Sequence, residues 1–129
     1  MSNIDLLSDS LTRIRNGYMS NRKSVKLVKS KLVYDLVGAL YRCGYVQSYE
    51  VVDQFVVVFL RYIFQKPAVR NIIRVSKLSC RVHVSCRDLK SNPSSTGLGT
   101  LVISTSYGIL SEMEAIRLGV GGEVLCKVF

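Results

Sequence analysis

The sequence predicts an α+β protein of two small lobes. The N-terminal lobe (1–65) reads α-β-α-β-β, and the C-terminal lobe (66–129) is mostly β with a short helix. Three observations point there. Apolar residues recur at helical spacing in two early segments. Runs rich in Val, Ile, Tyr and Phe, bounded by turn residues, make up much of the rest. QKPA (65–68) interrupts the pattern midway, as a lobe boundary would. A chain of 129 residues that is 48% hydrophobic can build a packed core and is the opposite of a disordered composition.

The elements follow in order. Residues 2–17 place Ile4, Leu7, Leu11, Ile14 and Tyr18 at steps of three and four. Ser2 or Asn3 is placed to cap this helix, Asp5 lies in its first turn, and Gly17 is the expected stop. Arg13 and Arg15 then fall in the last turn, where cations complement the helix dipole. VKLV (25–28) reads as a short strand. Ser30 caps a second helix with Leu32, Val33, Leu36, Val37, Leu40 and Tyr41 as its apolar face, ended by Gly44. YVQSYEV (45–51) and QFVVVFLRYIF (54–64) read as strands around a turn near Asp53. FVVVFL does not alternate, so burial on both faces or cover by a partner is expected. The run is too short to span a bilayer.

Beyond the boundary, NIIRVS and RVHVS read as short strands, and 88–96 as a loop with one helical turn. TLVIS (100–104) is a strand leading into a tight turn at Gly108. Ser111 and Glu114 form a capping box for a short helix that Gly119 ends. EVLCKV (123–128) is the final strand.

Charge narrows the function. The net charge is +9, and 14 of the 18 Lys and Arg lie in two acid-free windows, between Asp9 and Asp35 and between Asp53 and Asp88. Neutralising phosphates is the commonest use of such fields, and a solvated basic surface is the alternative. Cys43, Cys80, Cys86 and Cys126 form no CxxC pair, and MSNIDLLSDS has no apolar core of a secretory signal. Free, mostly buried thiols are expected. Cys80, His83 and Cys86 recur at steps of three, but in a strand such positions face opposite ways, so no metal site is expected.

Two glycine clusters, GLG before the strand at 100–104 and GVGG (119–122), have the wrong order for a phosphate loop or a dinucleotide fingerprint. Ser104 and Ser106 lack the frame of a nucleophile elbow, and His83 is the only histidine available as a base. No catalysis, cofactor or small-molecule substrate is therefore expected. Ser104, Thr105, Ser106, Gly108, Gly121 and Gly122 suit hydrogen bonding to phosphates, 2′-hydroxyls and splayed bases; tight turns in a small sheet are an equal reading.

LTRIRNG (11–17), SKL (30–32), GLG-strand-STSYGI (97–109) and GVGGEVLCKVF (119–129) occur in order along the chain. With these motifs it resembles the small-subunit ribosomal protein S8 family of bacterial type. The resemblance implies a primary binder of the small-subunit (16S-type) rRNA central domain that helps its folding and subunit assembly and touches neighbouring ribosomal proteins. It implies RNA contact by Ser104, Thr105, Ser106, Gly108, Gly121, Gly122 and Glu123 in the C-terminal lobe. In the N-terminal lobe it implies contact by Thr12, Arg13, Asn16, Ser30 and Lys31. His83 stands where a tyrosine is common and would stack on a base. Glu123 either accepts from a 2′-hydroxyl or base amino group, or fixes the hairpin. RVSKLSCR (74–81) lacks the usual Pro-Gly turn, and Tyr107 replaces a frequent lysine. A free-standing RNA-binding translational regulator is the alternative function. Plentiful Tyr, Phe, Cys and Ser point to a mitochondrial ribosome, with a plastid or bacterial cytoplasm as alternatives. No membrane is expected as a partner.

Overall fold

The computed structural model describes residues 3–76, 80–91 and 99–129. The chain divides into two compact units, Met1–Ile72 and Ile73–Phe129, so residues 66–72 lie in the first. The architecture is α+β, as expected from the sequence.

The first unit runs α1 (Asn3–Met19), β1 (Ser24–Val28), α2 (Lys31–Arg42), β2 (Val46–Val52), β3 (Phe55–Leu60), β4 (Tyr62–Ile63) and β5 (Lys66–Pro67). β1, β3 and β2 form an antiparallel sheet in that spatial order. Both helices pack on it, burying Ile14, Leu27, Val33, Leu36, Val37, Val56 and Val58 completely. Each such side chain contributes about 1.5–3 kcal/mol, so this seam dominates the unit's stability. Ser30 caps α2, its Oγ accepting from the Val33 N–H at 3.1 Å, and Gly44 takes a positive φ of 81° just after it.

Three expectations change here. Gly17 does not stop α1, which continues to Met19 and leaves Arg13 and Arg15 outside its last turn. A Cβ at Gly17 would lie 2.5 Å from Val25 Cγ1, so the glycine lets the helix cross the sheet closely. The helix closes instead on Asn21 at φ 55°, with the Arg22 N–H donating to Gly17 O at 2.9 Å. The strand over 54–64 ends at Leu60. β4 and β5 then form a separate hairpin whose turn residues, Phe64 and Gln65, both have positive φ. FVVVFL is central in the sheet but one-sided: Val56, Val58 and Leu60 are buried, Val57 and Phe59 half-buried, and Phe55 exposed.

The continuation of α1 is held by Tyr18. Its hydroxyl donates to the Tyr45 carbonyl and accepts from the Arg61 N–H at 3.2 Å, with the side chain only 3% exposed. Burial pushes this phenol above its usual value of 10.0, although the Arg61 hydrogen bond opposes the shift. The folded state thus favours the protonated phenol. Its contribution is fully present below pH 10 and is lost as pH rises through the raised folded value. Tyr18→Phe is expected to lower stability by about 1–2 kcal/mol and to flatten the alkaline decline above pH 10. Urea unfolding at a series of pH values measures both effects.

The second unit carries β6 (Ile72–Arg74), which begins at the boundary, then β7 (His83–Val84), α3 (Cys86–Ser91), β8 (Thr100–Thr105), β9 (Gly108–Ser111), α4 (Glu112–Leu118) and β10 (Gly122–Val128). The sheet order is β6-β10-β8-β9, with β7 also paired to β10. Leu89, Ile103 and Ala115 form a buried cluster that ties α3 and α4 to the sheet, flanked by Val84, Leu101, Ile116 and Val120. The capping box is formed: the Glu114 N–H donates to Ser111 Oγ at 3.3 Å, and the Ser111 N–H donates to Glu114 Oε1 at 3.1 Å. Gly119 ends α4 at φ 71°.

α3 is a full short helix where a loop with one turn was expected over 88–96, of which 92–96 lie outside the described residues. Ser85 and Asp88 exchange backbone-to-side-chain hydrogen bonds of 3.2 and 3.4 Å, a start signal present in the sequence but missed. β9 was likewise not anticipated. The possible cap Ser2 and Gly97 and Leu98 of the first glycine cluster lie outside the described residues. Of the cysteines, Cys126 is buried, Cys43 and Cys86 are half-buried, and Cys80 is exposed. Burial pushes the Cys126 thiol up to about 12, which leaves it protonated and unreactive at neutral pH. Among the described residues, no three His, Cys, Asp or Glu side chains group as a metal site, and no helix is long and apolar enough to cross a membrane.

Candidate nucleic-acid interface

The register of the second sheet assembles residues that are far apart in sequence. Glu123 on β10 lies opposite Ser104 on β8 and opposite His83 on β7. Direct cross-strand partners share a face. His83, Glu123 and Ser104 therefore form one row, with His83 exposed and the other two half-buried. The row carries an imidazole, a carboxylate and a hydroxyl. Together they offer a stacking surface, acceptors and two donors, an imidazole N–H and the serine hydroxyl, suited to a sugar or base edge.

The β8–β9 turn stands at the end of this row. Thr105 pairs with Gly108 across it, leaving Ser106 and Tyr107 at the tip. Thr105 Oγ1 donates to Gly108 O at 2.9 Å and accepts from the Tyr107 N–H at 3.1 Å. Its hydroxyl is thus committed to holding the turn. Gly108 supplies the φ of 104° that the turn requires. Ser106 and the Tyr107 ring are exposed, the latter by 67%. Among the described residues, no hydrogen bond within the chain engages the side-chain hydroxyl of Ser104 or Ser106.

Gly121 and Gly122 have a packing role of their own. A Cβ at Gly122 would lie 2.0 Å from Ser104 O, and one at Gly121 would lie 2.3 Å from Val84 O. They let the start of β10 slot between the ends of β7 and β8. Their missing side chains bring His83, Glu123 and Ser104 together. The space they open is filled by the chain's own backbone.

In the first unit, Arg13 is laid across to β1. Its Nε donates to Asp9 Oδ2 at 3.0 Å and its Nη1 donates to the Lys26 carbonyl at 3.3 Å. An exposed pair of this i,i+4 kind adds about 0.3–0.5 kcal/mol, so Asp9 orients the guanidinium more than it stabilises the fold. Arg13 and Asn16 line a cleft of about 480 Å³ together with Ser20, Arg22, Ser24 and Lys26. Three cations and two hydroxyls converge there, and among the described residues no acid lines it. Sequence reasoning singles out Arg13 and Asn16, takes Arg22 and Lys26 only as charge, and misses Ser20 and Ser24. The signal was the acid-free window between Asp9 and Asp35, which contains all of them. Thr12, Ser30 and Lys31 do not line this cleft. Thr12 is half-buried on α1, Ser30 Oγ is engaged as the α2 cap, and Lys31 is exposed at the first position of α2.

Comparison with known proteins identifies the family. The family model for ribosomal protein S8 matches residues 5–129. The small ribosomal subunit protein uS8 of Campylobacter jejuni subsp. doylei is 41% identical over 130 residues, covering 97% of this chain and 98% of the relative. The proteins of the same name from Nitratiruptor sp. and from Buchnera aphidicola subsp. Schizaphis graminum are each 40% identical, covering 97% and 99% of this chain and 98% and 99% of their own lengths.

Proposed function

We propose how this chain, which belongs to the ribosomal protein S8 family, meets RNA in its structural, non-enzymatic role in the small ribosomal subunit. In our reading it binds the central domain of the small-subunit rRNA and helps that domain fold during assembly. The observation that carries the reading is the row His83–Glu123–Ser104 ending at the Ser106–Tyr107 tip, whose serine hydroxyls no bond among the described residues uses. Ser104 and Ser106 donate to and accept from the RNA minor groove. His83 and Tyr107 stack on bases, and Glu123 accepts from a 2′-hydroxyl or an amino group, since a carboxylate repels phosphate. Thr105, Gly108, Gly121 and Gly122 hold these groups in place. The cleft of Arg13, Asn16, Arg22 and Lys26 takes the phosphate backbone, with Lys31 adding charge at the start of α2.

The subunit is of bacterial type. The relatives named above are bacterial, which favours a bacterial cytoplasm; the composition favours a mitochondrial ribosome. Sedimentation with one or the other ribosome separates the two.

The test is binding of the full chain to a central-domain rRNA hairpin across a salt series, with tRNA as competitor. Tight binding that resists the competitor, with stable co-sedimentation with small subunits, is expected. Affinity equal for tRNA and hairpin would sink the reading. Tight hairpin binding without co-sedimentation would favour the free-standing regulator.

A further inference from the structure

The stretch between Arg42 and Arg61 contains no lysine or arginine but holds Glu50 and Asp53. It is the electrostatic opposite of the two acid-free windows. It folds as β2, its turn and β3, with β2 at the rim of the three-stranded sheet.

The two rims of that sheet differ. On β1, Arg13 occupies the Lys26 carbonyl and α1 packs alongside. On β2, β3 is the only strand partner among the described residues, and Gln47, Ser48, Glu50, Val51 and Val52 are exposed. An open strand edge is a template for another strand, and proteins normally blunt it with lysine, proline or a bulge. VQSYEVV has neither lysine nor proline, and its register shift comes only at the start, between Val46 and Ser48.

Beside this edge stands a group of tyrosines. Tyr34 and Tyr41, two turns apart on α2, each meet the Tyr49 ring of β2 edge-on, with centroids 5.5 and 5.7 Å away. Tyr34 is 43% exposed, Tyr41 49% and the adjoining Val51 42%. A Cβ at Gly38 would come within 3.3 Å of the Tyr49 hydroxyl, so the glycine makes room for that ring. Exposed, mutually braced tyrosines beside an apolar strand are the composition of protein-binding hot spots.

We propose that the β2 edge and the Tyr34–Tyr41–Tyr49 group form a docking site for an extended, lysine- or arginine-bearing segment of another protein, which adds to the sheet as a strand beside β2. Charge selects this occupant. Along the strand a phosphate backbone would meet Glu50 and Asp53, whereas a basic peptide is attracted by them; the group's cation, Arg42, stands on the helix side beside Tyr49. Main-chain hydrogen bonds to the edge supply affinity, and alternate side chains against the tyrosines and Val51 supply selectivity. The inference goes beyond RNA binding. It rests on the ribosomal reading only in naming a subunit protein as the natural source of the segment.

The test uses the full chain and three probes: a peptide of alternating lysine and valine, its glutamate–valine counterpart, and oligouridylate. Hydrogen exchange of the β2 amides is the readout. The lysine–valine peptide is expected to slow that exchange about tenfold or more. Tyr34→Ala with Tyr41→Ala, and separately Glu50→Lys, should each weaken peptide binding about tenfold. These side chains are exposed, so circular dichroism should show an intact fold, and affinity for the rRNA hairpin should not change. That second readout separates this inference from the RNA reading, which can fail independently. Three results would overturn the docking site: equal protection by oligouridylate or the acidic peptide, no protection by the basic peptide, or protection that grows with chain concentration alone. The last would make a second copy the occupant.

Discussion

Gly122→Ala is expected to destabilise the second unit by about 3 kcal/mol or more, at the upper end of overpacking penalties. The added Cβ would sit 2.0 Å from Ser104 O and 2.9 Å from Ser104 C, both main-chain atoms of β8. No rotamer change can relieve a clash between a Cβ and a neighbouring strand's carbonyl. β10 must move away from β8, and the pairing of Glu123 with Ser104 is the next contact along. The row thus opens, so on the proposed RNA reading hairpin binding should fall along with stability. Gly119→Ala is the control. Nothing lies within 4 Å of its Cβ, so only the left-handed φ of 71° is penalised, by about 1–2 kcal/mol. Denaturant unfolding of the two variants side by side measures the difference. Equal losses would mean that the strands give way at little cost and that close strand approach is not what position 122 demands, since its φ is not left-handed.

This contrast also marks the limit of what could be read from the sequence. Local signals came through: the Ser30 cap, the stop at Gly44, and the box of Ser111 with Glu114 each act within a few residues of themselves. The role of Gly122 depends on Ser104, eighteen positions upstream in sequence, and on the register that brings them together. The same holds for Gly17, whose local stop signal lost to the burial of Tyr18 and the close crossing of Val25. The Phe64–Gln65 turn was hidden because neither residue favours a positive φ, and only the pairing of Tyr62 with Pro67 imposes it. For the candidate site, the serines and glycines were legible as a pattern. Their division of labour was not, since nothing in STSYG says that Thr105 is the pin and its neighbours are free. The cleft's Arg22 and Lys26 were legible only as charge, because it takes the α1–β1 fold to bring them around Arg13 and Asn16.

That division of labour sets up the second large effect. Replacing Ser104 and Ser106 together by alanine is expected to weaken hairpin binding by about 1–3 kcal/mol with the salt slope unchanged. Neither hydroxyl makes a bond within the described chain, so stability should stay within about 0.5 kcal/mol of wild type, as for other substitutions away from buried contacts. Thr105→Ala is the informative neighbour. Its hydroxyl bridges Tyr107 N and Gly108 O at 3.1 and 2.9 Å, so its loss should loosen the tip and lower both stability and binding. Arg22→Gln with Lys26→Gln should do the reverse of the serine pair. Binding should weaken for the hairpin and for tRNA alike, and the slope of log K against log salt should fall by roughly two phosphate contacts' worth. If the serine pair instead altered the slope, or the cationic pair altered the preference for the hairpin over tRNA, the assignment of reading to the second unit and phosphate neutralisation to the first would be wrong. If the serine pair left affinity untouched while Glu123→Gln abolished it, recognition would lie in the carboxylate of the row and not in the turn.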